Sequence, residues 1–257
     1  MRRRVLLPLA AVVLVPVVVL GVEVQMARTA PRLDDEIGHR PIEATVSDEE
    51  ASSTGERMRV VWLGDSTSTG VGAPRLTGSM AHRVTESRHA PAALTILGVS
   101  GAQVHEVVDD QLPELLERVA DGDVPDVVYV SIGANDVTAL TRRPTFRDLY
   151  RSMVDALIAA VPDAEIVLVG IPDMGTAPRL PVPLRQIAGV RAAQLDDVIG
   201  DVAGETGLHH VDLAGRTSRT FSSDPARYFS LDDFHPSPEG HRVWAEAVVA
   251  SLDEAVR

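Results

Sequence analysis

The sequence predicts an α/β fold, a three-layer α/β/α sandwich around a five-stranded parallel sheet. Three observations predict it. Short runs rich in Val, Ile and Leu recur five times between residues 59 and 213. Each is followed by a longer stretch whose apolar residues keep helical spacing. The runs are apolar throughout instead of alternating, as strands buried on both faces must be. Right-handed crossovers between such strands then put helices on both sides of the sheet.

At the amino end, "MRRR" precedes an uncharged run from Val5 to Val22. A basic flank followed by an apolar run is the order of a secretory signal or a membrane anchor. The run is longer than a signal core of about 7–15 residues and just reaches the about 18 that suggest a span. Pro8 and Pro16 weaken it as a regular helix, and "ARTA" at Ala27–Ala30 is its nearest approach to a cleavage site. Residues 1–22 are therefore expected to be a signal anchor or a cleaved signal peptide. In either case the positive-inside rule places the remainder outside the cytoplasm, anchored or secreted. Residues 23–57 carry "DDE", "SDEE" and "ASSTGER" with no sustained apolar period, and read as a flexible acidic linker.

The globular domain is expected over residues 58–257. Its strands are read at 59–63 (RVVWL), 93–98, 126–132 (DVVYVSI), 165–171 and 208–213. Its helices are read at about 76–88, 103–120, 145–160, 185–205 and 238–255. The fourth-quoted strand is preceded by the clearest helix, in which Phe146, Leu149, Tyr150, Met153, Leu157 and Ile158 share one face. In an open parallel sheet, ligands sit beyond the carboxyl ends of the strands. The loops there read "GDSTSTGVG", "GVSGAQ", "GANDVT", "PDMGTAPRLPVP" and a long last segment ending "LDDFHPSPEG".

Composition removes several classes of chemistry. There is no Cys, hence no disulfide, thiolate metal site or Cys nucleophile. All 24 basic residues are Arg, and the net charge of -13 argues against polyanion partners such as nucleic acid or anionic lipid. No His, Asp or Glu cluster has metal-ligand spacing, so neither a metal nor a cofactor is expected.

Four loops hold residues that could work together. Ser66 in "GDSTS" follows the first strand, and a serine hydroxyl needs a base before it attacks anything. "GDSTS" is neither a Gly-x-Ser-x-Gly elbow nor a phosphate loop, and alone it is explained by a strand-ending turn or a helix cap. His235 in "LDDFHPS" supplies the base. Asp232, three residues earlier, can orient the imidazole through Nδ1 and leave Nε2 for a serine. Asp233 is the rival orienter. Pro236 disfavours helix at His235, and Ser237 with Pro238 starts the last helix, so His235 belongs to a tight loop. Asn135 in "GAND" offers a side-chain amide, and Gly101 in "GVSGA" lets a backbone N–H approach closely. Either could instead be a plain turn former, but all four fall on the loops that the fold assigns to a ligand. The other histidines, His82, His89, His105, His209, His210 and His241, have no partner pattern and read as capping or surface residues.

These blocks resemble the SGNH, or GDSL-type, hydrolases: "GDS" at 64–66, "GVSGA" at 98–102, "GAND" at 133–136 and "DDFHPS" at 232–237. The likeness spans about residues 58–255 and departs in lacking the Leu often found after the Ser. It implies a flavodoxin-like five-stranded sandwich and a carboxylic ester hydrolase. It also implies Ser66 as nucleophile, His235 as general base and acid, and Asp232 as its orienter. The oxyanion donors it implies are the amides of Ser66 and Gly101 and the side chain of Asn135. The expected substrate is a small-molecule or carbohydrate-linked ester. Alternatives are an O-acetyl esterase or acyltransferase on cell-envelope carbohydrate and, outside enzymes, a catalytically silent envelope binding module. Long segments at 172–184 and 216–230 lie at the same edge. From them Met174, Leu180, Tyr228 and Phe229 are candidates to line an acyl pocket, or else to pack a satellite cluster.

Overall fold

A computed structural model describes residue 33, residues 41–46 and residues 57–255. The apolar run at 5–22 lies outside the described residues. Among the described residues no helix is long and apolar enough to cross a membrane. In chain order the elements are β1 (Ile42–Val46), β2 (Met58–Gly64), α1 (Ser66–Thr69), α2 (Met80–Glu86), β3 (Ala92–Ile96), α3 (Leu112–Ala120) and β4 (Val127–Ser131). They continue as α4 (Ala134–Ala139), α5 (Arg143–Ala160), β5 (Glu165–Val169), α6 (Leu184–Thr206), β6 (His209–Val211), α7 (Leu213–Ser223), α8 (Pro225–Tyr228) and α9 (Pro238–Ala255).

The strand order is β1-β3-β2-β4-β5-β6, and β2 to β6 pair in parallel. The three-layer expectation holds. Helix α9 packs on α2 and α7, while α5 packs on α3 and α6. The middle of the sheet is dry: Trp62 on β2 and Tyr129 on β4 are fully buried and stack with ring centroids 4.4 Å apart. On α5 the buried face is Phe146, Tyr150, Met153, Val154 and Leu157, close to the stripe that its spacing predicts.

Two expectations are corrected. The sheet has six strands, because residues 42–46, read as part of a flexible linker, form β1 and pair antiparallel with β3 from Ile42↔Ile96 to Val46↔Ala92. Left alone, β3 would present unpaired N–H and C=O groups along an open edge, and β1 satisfies them. The sequence "IEATV" alternates as a half-buried strand should, but over five residues in acidic surroundings that signal is short. Part of segment 216–230, read as a long loop, is helical. Asp212 caps α7 by accepting from Gly215 N (2.7 Å), and Leu213, Thr217 and Phe221 are its buried face. The run "RTSRT" hides that face because its one inward residue, Thr217, is polar and returns its hydroxyl to Leu213 O (2.6 Å).

From β2 the chain first adds β3 on one side, then crosses to add β4 on the other. That reversal opens a crevice at the carboxyl ends of β2 and β4. Ser66 stands two residues past the end of β2 and Asn135 four past the end of β4.

Candidate active site

Ser66 stands at the start of α1 because the residues before it make a sharp turn off β2. Gly64 has φ +146, and a Cβ there would lie 2.0 Å from Ser131 O on β4, so only glycine lets the two strands end side by side. The amide of Gln111 clamps this glycine from both sides. It accepts from Gly64 N and donates to Gly64 O, both at 2.8 Å. Gln111 closes the π-helical turn Val107–Gln111 ahead of α3, a local over-winding often found at functional sites. Asp65 caps α1 by accepting from Thr67 N and Thr67 Oγ1, each 2.9 Å away. As the first residue of α1, Ser66 has an N–H with no partner inside the helix.

Across the crevice, His235 Nε2 lies 3.0 Å from Ser66 Oγ, and its Nδ1 lies 2.6 Å from Asp232 Oδ2. The carboxylate can only accept, so the neutral ring carries its proton on Nδ1 and Nε2 accepts from the serine hydroxyl. Asp232 Oδ1 accepts from Ser230 Oγ (2.8 Å), Phe234 N (3.1 Å) and His235 N (3.0 Å). Burial by itself would raise the Asp232 pKa. The hydrogen bond and charge of His235, with these further donors, outweigh it and hold the carboxyl well below the usual carboxylate range. Asp233 takes the opposite course: it is exposed, at φ +57, and its backbone carbonyl accepts from Arg179 N (2.9 Å).

Arg179 is the residue that sequence reasoning missed here. Its guanidinium is nearly buried, with Nη1 3.3 Å from Asp232 O and 3.7 Å from Asp232 Oδ2. It also lies 5.9 Å over the ring of Phe234. The segment 172–184 is long enough to suggest substrate contact, and nothing in its spacing marks an arginine that meets an aspartate 53 residues on. A second missed residue is His241 on α9. It accepts from Met80 N at Nδ1 (3.2 Å) and donates from Nε2 to Val71 O (2.9 Å), tying α9 to α2 and to the segment after α1. Burial lowers its pKa to about 4, so it stays neutral and structural.

Asn135, at the first turn of α4, donates from Nδ2 to Ala102 O (2.9 Å) and lies 3.4 Å from Asp65 Oδ2. The loops after β2, β3 and β4 are thereby drawn to one point. Gly101, one residue before Ala102, has φ +84 and open space where a Cβ would stand. The next residue along α4, Asp136, is buried and accepts from Val104 N (3.0 Å), which fixes the same two loops from behind.

Asp65 leads to a pH prediction. Burial raises its carboxyl from 3.8 to about 6, against the hydrogen bonds from Thr67. Between those values the folded chain keeps a proton that the unfolded chain has lost, so this group's contribution to stability falls as pH rises through the window. Wild type is expected to lose on the order of 3 kcal/mol from this source between about pH 4 and pH 6.5. Urea unfolding of wild type and Asp65→Asn across that range measures it, the difference in stability between the two narrowing or reversing as pH rises. A difference independent of pH would mean that the carboxyl titrates normally.

The four residues predicted to line an acyl pocket are largely packed. Met174, Leu180 and Phe229 are buried, and Tyr228 is half-buried against Phe221. Phe221 also meets Phe229 edge-on and stacks on Trp244. Met174 and Phe229, with Phe221, Phe234 and Trp244, surround a cavity of about 20 Å³, room for about one water. Phe234 separates that cluster from His235, whose ring it meets edge-on at 5.3 Å.

Residues 62–243 match the family model described as the GDSL-like lipase/acylhydrolase family. The chain belongs to this GDSL-like family. It is the family that the four sequence blocks imply. A GDSL-like esterase of Mycobacterium tuberculosis is 28% identical over 207 residues, which cover 77% of this chain. The matched region spans 63% of that relative's length. Among solved structures, a phospholipase A1 from Streptomyces albidoflavus superposes with a TM-score of 0.59 at 20% identity, over 76% of this chain and all of that one. An acetyl-xylooligosaccharide esterase from Geobacillus gives 0.58 at 19% identity, over 77% of this chain and 95% of that one. At such identities the likeness is one of fold, and the GDSL-like chain shares the sandwich with enzymes named for different esters.

Proposed function

We propose that this GDSL-like protein is a serine ester hydrolase that works through an acyl-serine intermediate outside the cytoplasm. The observation that carries the chemistry is the relay of hydrogen bonds from Ser66 Oγ to His235 Nε2 (3.0 Å) and from His235 Nδ1 to Asp232 Oδ2 (2.6 Å). His235 takes the Ser66 proton as Oγ attacks the ester carbonyl, and Asp232 stabilises the imidazolium that forms. The carbonyl oxygen becomes an anion facing the N–H groups of Ser66 and Gly101 and the Nδ2 of Asn135. His235 gives its proton to the departing alkoxide, which leaves as the alcohol. It then deprotonates a water that attacks the acyl-serine, and the acid departs as Ser66 regains its proton. No step calls for a metal, and among the described residues no group of three His, Asp or Glu could hold one.

Replacing Asn135 with Ala removes one of the three donors. It is expected to lower kcat by about 10²–10³ with a much smaller change in KM, since the bond strengthens only as charge develops. Steady-state hydrolysis of a soluble ester checks this.

The proposal as a whole is tested on the purified full chain with nitrophenyl esters from acetyl to lauroyl, and with a fluorophosphonate that labels activated serines. Turnover across some part of that series, with the label on Ser66, supports it. No turnover together with an unlabelled Ser66 would sink it. The location rests on the order of "MRRR" and the apolar run at 5–22. Accessibility of the domain to added protease in intact cells with a permeable outer layer tests that half separately.

A further inference from the structure

Among the described residues, seven large apolar side chains are exposed, and the five most exposed all lie at the carboxyl edge of the sheet. They are Leu140, Val182, Ile187, Val190 and Leu231, between 47% and 94% exposed. Leu116 and Val124, at the opposite edge, are less so. Hydrogen bonds join the segments that carry them. Arg191 on α6 donates to Val137 O and Thr141 O, which bracket Leu140 and set it beside the turn holding Ile187 and Val190. Arg179 holds the segment before Val182 against Asp232 and Asp233, the residues that follow Leu231. An apolar crescent thus runs from the end of α4, over the start of α6, to the loop of His235. Scattered exposed Leu and Val need no explanation, but five on hydrogen-bonded segments around one catalytic relay do. Leu140 is costly twice over: it is 68% exposed and sits at φ +61, where Gly or Asn is the ordinary choice at a helix end.

The charge along two of the crescent's three segments is opposite to that of the chain. Residues 138–146 and 182–191 contain Arg142, Arg143, Arg185 and Arg191 and no Asp or Glu, in a chain with 37 acidic and 24 basic residues. Arg142 and Arg143 are exposed, and neither forms an ion pair among the described residues. Arg185 donates to Leu180 O and Pro178 O, and Arg191 to carbonyls likewise, so no carboxylate cancels either. Asp233, beside Leu231, is the exposed acidic group at one end. Net charge argued against an anionic lipid partner, but the placement of charge argues for one at this face.

We propose that the crescent docks the catalytic edge on an anionic lipid surface, with Leu140, Leu231 and the first turns of α6 entering the interface and Arg142 and Arg143 meeting phosphates. Apolar side chains flanked by arginines are the chemistry of interfacial binding, burial of the former adding to attraction of the latter. The inference rests on the ester hydrolase reading for its purpose, because docking there brings an ester at the lipid surface to Ser66. Its test does not depend on turnover.

The chain has no Cys, so single cysteines can be introduced and labelled with an environment-sensitive fluorophore. The full chain carrying Ser66→Ala is made with Leu140→Cys, Leu231→Cys or, as a control at the far edge, Val124→Cys. With phosphatidylglycerol vesicles, probes at 140 and 231 are expected to brighten several-fold, shift to the blue and be quenched by spin-labelled lipid, while the probe at 124 stays as in water. Phosphatidylcholine vesicles should give a weaker response. Adding Arg142→Gln and Arg143→Gln should lower the docked-to-undocked ratio on the order of thirtyfold at low salt. Three outcomes overturn the proposal: probes at 140 and 231 that behave like the one at 124, an equal response to both lipids, or probes already shielded without lipid. The last would assign the face to another segment of this chain or to a second copy, the latter distinguished by dependence on protein concentration. Failure of wild-type Ser66 to react with a fluorophosphonate would remove the hydrolase reading and leave these results standing.

Discussion

Ser66→Ala is expected to lower kcat for any ester the protein turns over by about 10⁴–10⁶-fold, with little change in stability. The size of the effect follows from the absence of a substitute nucleophile on the same attack line. Ser66 Oγ is the group 3.0 Å from His235 Nε2, and the other hydroxyls of α1 are committed elsewhere. Ser68 Oγ donates to Asp65 O (2.7 Å), Thr67 Oγ1 bonds Asp65 and Ser131, and Thr69 Oγ1 donates to Ser66 O (3.2 Å). Any residual rate would come from binding and from the oxyanion stabilisation proposed for the remaining amides. The measurement is kcat on a soluble ester, with thermal melting to confirm that the variant is folded. A loss of less than about tenfold would assign the reaction to another group.

Asp232→Asn is expected to cost about 10⁴ in kcat, while Asp233→Asn costs little. Asp232 Oδ2 accepts the Nδ1 proton at 2.6 Å, and an Asn amide in its place can present an N–H that forces the other tautomer. Nε2 would then carry the proton and could not take one from Ser66. The second oxygen also matters, because Oδ1 gathers donors from Ser230, Phe234 and His235 and so shapes the loop. Asp233 has none of these side-chain duties: it is exposed and engaged through its backbone. The pH profile separates a chemical defect from a folding one. A tautomer fault removes turnover at every pH at which the variant is folded, and Ser66 loses its fluorophosphonate reactivity in parallel. Equal effects from both variants would undo the assignment of roles.

Much of this was legible in the chain. Runs such as "RVVWL" and "DVVYVSI" read as doubly buried strands, because after a charged first residue they are short and mostly Val, Ile, Leu and aromatic, with no polar alternation. The parallel sheet then assigned the ligand to five loops, and four of those loops held Ser66, Gly101, Asn135 and the Asp232–His235 pair. What escaped had weaker local signals. Strand β1 spans five residues, and its stability comes from completing the edge of β3, a partner about 50 residues away in the chain. Helix α7 owes its place to Leu213, Thr217 and Phe221 packing under the loop of His235, and one of those three is polar.

Short-range rules decided what each residue could do: which runs bury, where a turn must stop a helix, that a carboxylate three positions before an imidazole can hold its Nδ1. They carry no information on distances between segments. That Ser66 and His235 meet across 169 positions and that Arg179 reaches Asp232 were settled only by packing. The reason is physical. A residue's chemistry and its local conformational preferences belong to it and its few neighbours, whereas contact between distant segments depends on the order in which strands join the sheet and on the faces their helices cover.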